Sequence, residues 1–275
     1  MVSVNASKIL EECRPLNAVA KAPTLSKNYK FVSSRHVIDL LGNEGWEPSK
    51  AFIVKSKSSS DPLYKRHCIR FRNPSMMGDE SDSMGGTYPE IVMRNSHDGT
   101  TSLQFLAGIM RMVCSNGLTI AEEEYGATRM RHDSVEYRKL GDIWLNAVVK
   151  RFARAVPDGM ALCKGWNDMH LDKTQKHAYY KEAGKLRGID MYDYRYNQFN
   201  RATRAADVGD DLWTVFNRTQ EWLVDGGIKK YNDFTDDRVG GRTQIALRNS
   251  DAIDAVNTGL WNLTTRTAEM LAGVN

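Results

Sequence analysis

The first regular pattern along the chain is helical. Ser33 and Ser34 stand ahead of Val37, Ile38, Leu40 and Leu41, which fall on one side at the helical period, and Gly42 with Gly45 stops the run before Trp46. The spacing predicts a helix, and an ordered domain that starts with it. Residues 1–32, with Pro15, Pro23 and a weakly amphipathic run around Ile9 and Leu10, read as an N-terminal arm that docks on a neighbour. The period then shortens to two. Residues 51–57 and 65–72 read as strands joined by a turn at 58–62, and in the second strand His67, Ile69 and Phe71 alternate with Arg66, Cys68, Arg70 and Arg72. One face of that strand therefore gathers three arginines. Residues 73–89, with Pro74, Gly78, Gly85, Gly86 and Pro89, read as a mobile insertion, and 91–95 as a third strand closed by the hairpin signal Asp98-Gly99.

Beyond the turn, Leu103 and Phe105 alternate with Ser102 and Gln104, whereas 108–113 fits strand or helix equally. Residues 127–133 read as a short strand with Arg129 and Arg131 on the same side. Ser134 is placed to cap a long helix running to about residue 156, with Leu140, Ile143, Trp144, Ala147, Val148 and Phe152 as its apolar face and Pro157 as its stop. The remaining periodic segments, 173–187, 194–206, 211–224 and 250–271, are helical. A sheet-rich first half followed by helices predicts an α+β fold. Its parts are an N-terminal helix, an antiparallel sheet with a hairpin, a long central helix and a helical C-terminal half. The expected domains are the arm 1–32, an α+β core at 33–157, and a mainly helical region at 158–275 packed on that core.

The 275 residues are 26% charged and 41% hydrophobic, enough for a sizeable core. No stretch approaches eighteen consecutive apolar residues and Met1 to Leu10 lacks the pattern of an export signal, so a cytoplasmic protein with no membrane contact is expected. The net charge of +4 conceals a segregation. Residues 1–72 carry thirteen basic against six acidic side chains and 73–128 carry two against eight; 129–204 carry sixteen against nine and 205–275 seven against eleven. Two basic blocks between acidic ones suit a polyanionic partner or head-to-tail assembly, and they equally suit neutralisation within the fold.

Phosphate-loop, dinucleotide, zinc-protease, calcium-loop and serine-hydrolase motifs are all missing, and no cofactor or metal is expected. The four cysteines, Cys13, Cys68, Cys114 and Cys163, lie far apart and read as buried free thiols. His97, Asp98, Cys114, Asn116 and His132 offer a thiol, imidazoles and an amide for nucleophilic chemistry. Capping of a hairpin turn accounts for the same residue types more simply. Acids at Asp207, Asp210 and Asp211, and at Asp236 and Asp237, could hold magnesium, but acids at helix starts need only the helix dipole.

Three groups of residues suggest a nucleic acid. Arg66, Arg70 and Arg72 would set guanidinium groups about 7 Å apart along one strand face, near the spacing of phosphates on an extended strand. Lys150, Arg151 and Arg154 cluster late in the long helix, and Arg129 and Arg131 precede it. An aromatic and basic run follows, with Tyr179 and Tyr180 and then Tyr194, Arg195 and Tyr196. Cations track a backbone while aromatic faces stack on bases.

Several short elements carry a resemblance. Asn95-Ser96-His97-Asp98-Gly99, the run from Arg111 to Leu118 with Val113-Cys114-Ser115-Asn116-Gly117, Arg131-His132, and Asn257 with Leu260-Trp261 resemble a phage- and plasmid-borne family catalogued only as a domain of unknown function. The similarity spans most of residues 33–271 and implies a virus or mobile element as the source. In architecture alone, helix then hairpin-bearing sheet then long helix is similar to the core of phage single-strand annealing proteins. The resulting expectation is a non-enzymatic protein that binds single-stranded DNA in preference to duplex and promotes annealing in recombination or replication. It would act as a homo-oligomer beside phage or host replication and recombination proteins. The alternatives are a module that inhibits a host or defence protein through the acidic segment 73–98, and an enzyme built on Cys114 and His132 or on a metal.

Overall fold

The computed structural model describes residues 9, 11–54, 61–77, 86–111, 118–120, 128–133, 135–189, 196–228 and 245–273. It is α+β, and it divides into two compact units whose boundary falls within the long helix after Met160. Unit 1 holds most of the chain up to Met160; unit 2 holds the rest together with residues 79–86 and 111–118.

Unit 1 begins with a short 3-10 turn, Arg14–Asn17, and helix α1, Ser34–Asn43. The Ser33 side chain caps α1 by accepting from the His36 amide, as the sequence pattern predicts. Strands β1 (Glu47–Ile53), β2 (His67–Arg72), β3 (Thr87–Asn95), β4 (Leu103–Arg111) and β5 (Leu118–Ile120) lie in that order in one antiparallel sheet, and β6 (Thr128–Met130) pairs with β4. Strand β1 starts four residues earlier than its sequence suggests. It is an edge strand, where Pro48 needs no inward partner for a missing N–H, and its register slips between Pro48 and Lys50. The ambiguous stretch after residue 107 is strand as far as Arg111. Residues 87–89, expected in a loop, open β3, with Pro89 just beyond the last pair with β2, Arg72 and Glu90.

One face of the sheet carries the core. Ile69 and Phe71 of β2, Ile91 and Met93 of β3, Leu103 and Phe105 of β4 and Met130 of β6 pack against Val37, Ile38 and Leu41 of α1. They also meet Leu145, Val148, Val149 and Phe152 of α2, the helix Val135–Asn167. Phe105 and Phe152 meet with ring centres 5.6 Å apart. The buried face of α2 differs from the expected one, since Ile143 is 75% exposed and Ala147 faces out. After Gly141, whose φ of 49° kinks the helix, apolar residues fall on two adjacent stripes, and the one with Leu145, Val148, Val149 and Phe152 is the one buried. Helix α2 also runs on past Pro157 to Asn167. Proline in a helix removes one backbone bond, a cost that packing can offset. The segment read as an arm belongs to this unit, because Cys13, Leu16 and Val32 are in the core.

Unit 2 comprises the end of α2, α3 (Lys173–Lys185), α4 (Tyr196–Phe199), α5 (Leu212–Asp225) and α6 (Ser250–Leu271). Asp172 caps α3 in a reciprocal box with Gln175, Asp211 caps α5, and Asn249 caps α6. Trp166, Trp213, Phe216 and Trp261 form its aromatic centre, with the rings of Trp166 and Trp261 4.5 Å apart. The helix expected over 194–206 is shorter: α4 ends at Phe199 and a 3-10 turn covers Ala205–Asp207. Backbone here is drawn to Arg218, which takes the carbonyls of Asp207 and Gly209 at 3.0 and 3.1 Å.

Candidate nucleic-acid interface

The register of the strands decides which side chains share the face of the sheet turned away from α1 and α2. Arg70 and Arg72 of β2 are there with Cys68, opposite the core residues Ile69 and Phe71. Lys50 and Phe52 of β1 stand beside them, since Lys50 pairs with Arg70 and Phe52 with Cys68. Across β3 the same face presents Tyr88, Glu90, Val92 and Arg94, because Arg72 pairs with Glu90, Arg70 with Val92 and Cys68 with Arg94. Four basic side chains therefore share the face with one acid. Cys68, Val92 and Leu106 form a small buried apolar patch within the same face.

Glu90 organises this face. Its carboxylate is fully buried, accepts from Arg72 Nε at 2.7 Å on one oxygen and forms an ion pair with Arg70 Nε at 2.8 Å on the other. The two guanidinium groups remain partly exposed, at 23% and 38%. Arg72 lies over the Tyr88 ring, 4.4 Å from its centre, and Lys50 lies 5.7 Å from the centre of Phe52, which is 41% exposed. The arrangement holds cations and an aromatic surface in place, with one net charge removed by Glu90. Sequence reasoning found Arg70 and Arg72 and missed Lys50, Phe52, Glu90 and Arg94. Their signal was present as alternation within β1 and β3, but it meant nothing without the register between strands.

The other predicted residues fall elsewhere. Arg66 precedes β2 and is half-buried, its carbonyl taking the Val54 amide. Lys150, Arg151 and Arg154 lie on the side of α2 opposite Leu145, Val148, Val149 and Phe152, so they point away from the sheet and do not join its outer face. Tyr179 and Tyr180, which open the aromatic and basic run, are buried: Tyr179 bonds Thr264 at 2.8 Å and Tyr180 takes a bond from Arg218 at 2.9 Å. Tyr194 and Arg195 lie outside the described residues, as do Cys114, Asn116, Asp236 and Asp237; Tyr196 opens α4. Cys13, Cys68 and Cys163 are buried and in no disulfide. Asp211 serves as the α5 cap, Asp210 pairs with Lys176 at 2.5 Å, and Asp207 is buried beside Arg204. No group of three metal-ligating side chains is found among the described residues.

The Asn-Ser-His-Asp-Gly element builds a latch for the N-terminal segment. Asn95 donates to the Val32 carbonyl at 3.2 Å and to Ser34 Oγ at 3.1 Å. Ser34 in turn lies 2.7 Å from His67 Nε2, and His67 Nδ1 lies 2.9 Å from the Lys65 carbonyl. A carbonyl only accepts, so Nδ1 carries the proton and Nε2 accepts from the Ser34 hydroxyl. His97 Nε2 likewise donates to the Pro15 carbonyl at 3.2 Å, and Tyr29 donates to the Ser96 carbonyl at 2.7 Å. His132 Nδ1 donates to the Lys30 carbonyl at 3.0 Å, and its ring stacks on Tyr29 at 4.5 Å. Burial holds all three imidazoles neutral, pushing His67 down to about 4 and His97 to about 3, and lowering His132. A Ser–His–Asn contact so enclosed is a structural network, with no access for a substrate.

Beside the latch lies a cleft of about 420 Å³, between the β3–β4 turn, the segment around Tyr29 and the end of β6. Arg129 and Arg131 stand on its wall. Arg131 is spent on Asp133 through two bonds of 3.0 Å, whereas among the described residues Arg129 donates only its Nε, to Ser102 at 2.9 Å.

Two Escherichia coli (strain K12) proteins are similar to the chain, UPF0380 protein YfjQ and UPF0380 protein YafZ. Each is 30% identical over 245 residues, covering 88% of this chain and 83% of the relative. No solved structure matches. Residues 23–256 match the model of the family described as "Domain of unknown function (DUF932)", and the chain belongs to that family.

Proposed function

We propose that the protein binds single-stranded nucleic acid on the outer face of the unit 1 sheet. The observation that carries this reading is the set of Lys50, Arg70, Arg72 and Arg94 on one sheet face, Arg70 and Arg72 anchored on Glu90 and Phe52 exposed beside Lys50. Phosphates exchange counterions for these cations, and an aromatic face accepts any base. A sheet face suits an extended single strand better than a rigid duplex, because strand spacing and phosphate spacing are similar along the chain. The wider setting is a phage or mobile-element protein acting as an oligomer in the cytoplasm to anneal complementary strands. No helix among the described residues is long and apolar enough to cross a membrane.

The test must spare the fold. Removing both arginines alone would strand the buried Glu90 carboxylate, so the informative variant replaces Arg70, Arg72 and Glu90 by Gln together. Fluorescence anisotropy with labelled oligothymidine across a salt series should show weaker binding and a shallower salt dependence for this variant. Unchanged affinity and slope would remove the sheet face from the reading.

A further inference from the structure

We propose that the cleft beside the latch binds a phosphate monoester carried on a nucleoside, either a free mononucleotide or the 5′-phosphorylated end of a strand. The second source rests on the sheet-face reading; the first does not. Three features of the cleft point to this ligand class.

The first is an uncommitted cation. Arg129 uses only Nε, and its two terminal nitrogens have no partner among the described residues. A guanidinium fork with both terminal nitrogens available matches two oxygens of a phosphate. Arg131 cannot serve in the same way while both of its bonds go to Asp133. The second is a set of unspent hydroxyls on the same wall. Ser26 Oγ and Thr101 Oγ1 make no hydrogen bond among the described residues, and each can donate to a phosphate oxygen. The third is an acceptor of fixed tautomer. His132 is 4% exposed, and with Nδ1–H committed to Lys30 its Nε2 is a bare acceptor with no partner among the described residues. Such an atom suits a ligand that also carries a donor, as a sugar hydroxyl or a base amino group does, and not an inorganic anion alone.

Size and position agree. A volume of about 420 Å³ lies within the range of small-ligand clefts. Arg129 pairs with Gln104, which alternates with the core residues Leu103 and Phe105, so Arg129 projects on the outer side of the sheet. A strand lying on that face would reach the cleft at its end. The hairpin residue Gly99 is held for this geometry twice over. Its φ is +78°, and a Cβ there would come within 3.0 Å of Leu25, which also lines the cleft.

The experiment compares 5′-phosphorylated and 5′-hydroxyl oligothymidine of equal length by anisotropy, and titrates deoxythymidine monophosphate alone by calorimetry. The phosphorylated strand should bind about tenfold tighter, in line with a hydrogen bond to a charged group. Arg129→Gln should bring that ratio to one and abolish mononucleotide binding. Arg129 is exposed, so its replacement should leave the fold intact, as circular dichroism would verify. Thr101→Val, which keeps shape and the backbone bond to Ser96, should reduce the ratio as well. If the mononucleotide binds and depends on Arg129 while neither oligonucleotide binds at low salt, the cleft stands and the sheet-face reading falls. A ratio of one with no mononucleotide binding overturns the cleft, and so does a ratio that survives in Arg129→Gln.

Discussion

Arg218 in unit 2 and the pair Arg70 and Arg72 in unit 1 show one side chain in two uses. Arg218 is 3% exposed and gives its terminal nitrogens to the carbonyls of Asp207 and Gly209, to the Tyr180 hydroxyl and to Asn200 Oδ1. It ties a loop to α5, with both terminal nitrogens taken inside the unit. Arg70 and Arg72 each commit Nε to the buried Glu90 and keep part of the guanidinium in water. The difference teaches that a count of basic residues is not a count of available cations. What decides availability is whether the partner lies beneath the side chain, as Glu90 does, or around it.

The contrast can be broken most forcefully at Arg218. Arg218→Met should destabilise the protein by about 3–5 kcal/mol, because several buried acceptors lose their donor at once. Urea unfolding would measure it, and the folded fraction should bind DNA as before. Glu90→Ala should cost less, about 2 kcal/mol, since water can reach the partly exposed guanidinium groups it releases. The same variant should steepen the salt dependence of binding by about one unit in the logarithmic slope.

Acid sharpens the contrast within unit 1. The latch histidines are depressed in the fold, His67 to about 4 and His97 to about 3, against 6.5 when unfolded. Above pH 6.5 both states hold the rings neutral and stability is fully present. As the pH falls from 6.5 towards 4 and then 3, the unfolded chain takes up more protons than the folded one, and stability is lost at up to about 1.4 kcal/mol per pH unit for each ring. Between pH 7 and 5.5 denaturation midpoints should fall, while DNA affinity of the folded protein should not, because the latch histidines do not lie on the arginine-bearing face of the sheet. The smallest effect is expected from replacing Lys150, Arg151 and Arg154 together by Ala. These lie on the far side of α2, and the affinity for oligothymidine should change by less than about twofold.

Much of the fold was readable from local pattern. Helix α6 spans Ser250–Leu271 as its periodicity predicts, and Ser33 caps α1. The errors arose where long-range structure overrode local chemistry. Packing on the sheet buried Leu145 and Val149 of α2 instead of Ile143 and Ala147, Pro157 did not stop the helix, and the demand of Arg218 for backbone carbonyls replaced the expected helix after Phe199 with turns. For the candidate site, alternation within β2 exposed Arg70 and Arg72. Glu90, Lys50 and Arg94 became neighbours only through strand register, which no single segment encodes. The Asn95 to Gly99 element could be recognised without being understood, because its partners Pro15, Val32 and Ser34 lie more than sixty residues away.

The most direct measurement is oligothymidine affinity across a salt series for the wild-type protein and for the variant with Arg70, Arg72 and Glu90 all replaced by Gln. The expected result is a steep negative slope for the wild type that becomes shallower in the variant, with weaker binding throughout and an unaltered fold by circular dichroism. Superimposable curves for the two proteins, or no binding by the wild type even at low salt, would contradict the assignment of the sheet face.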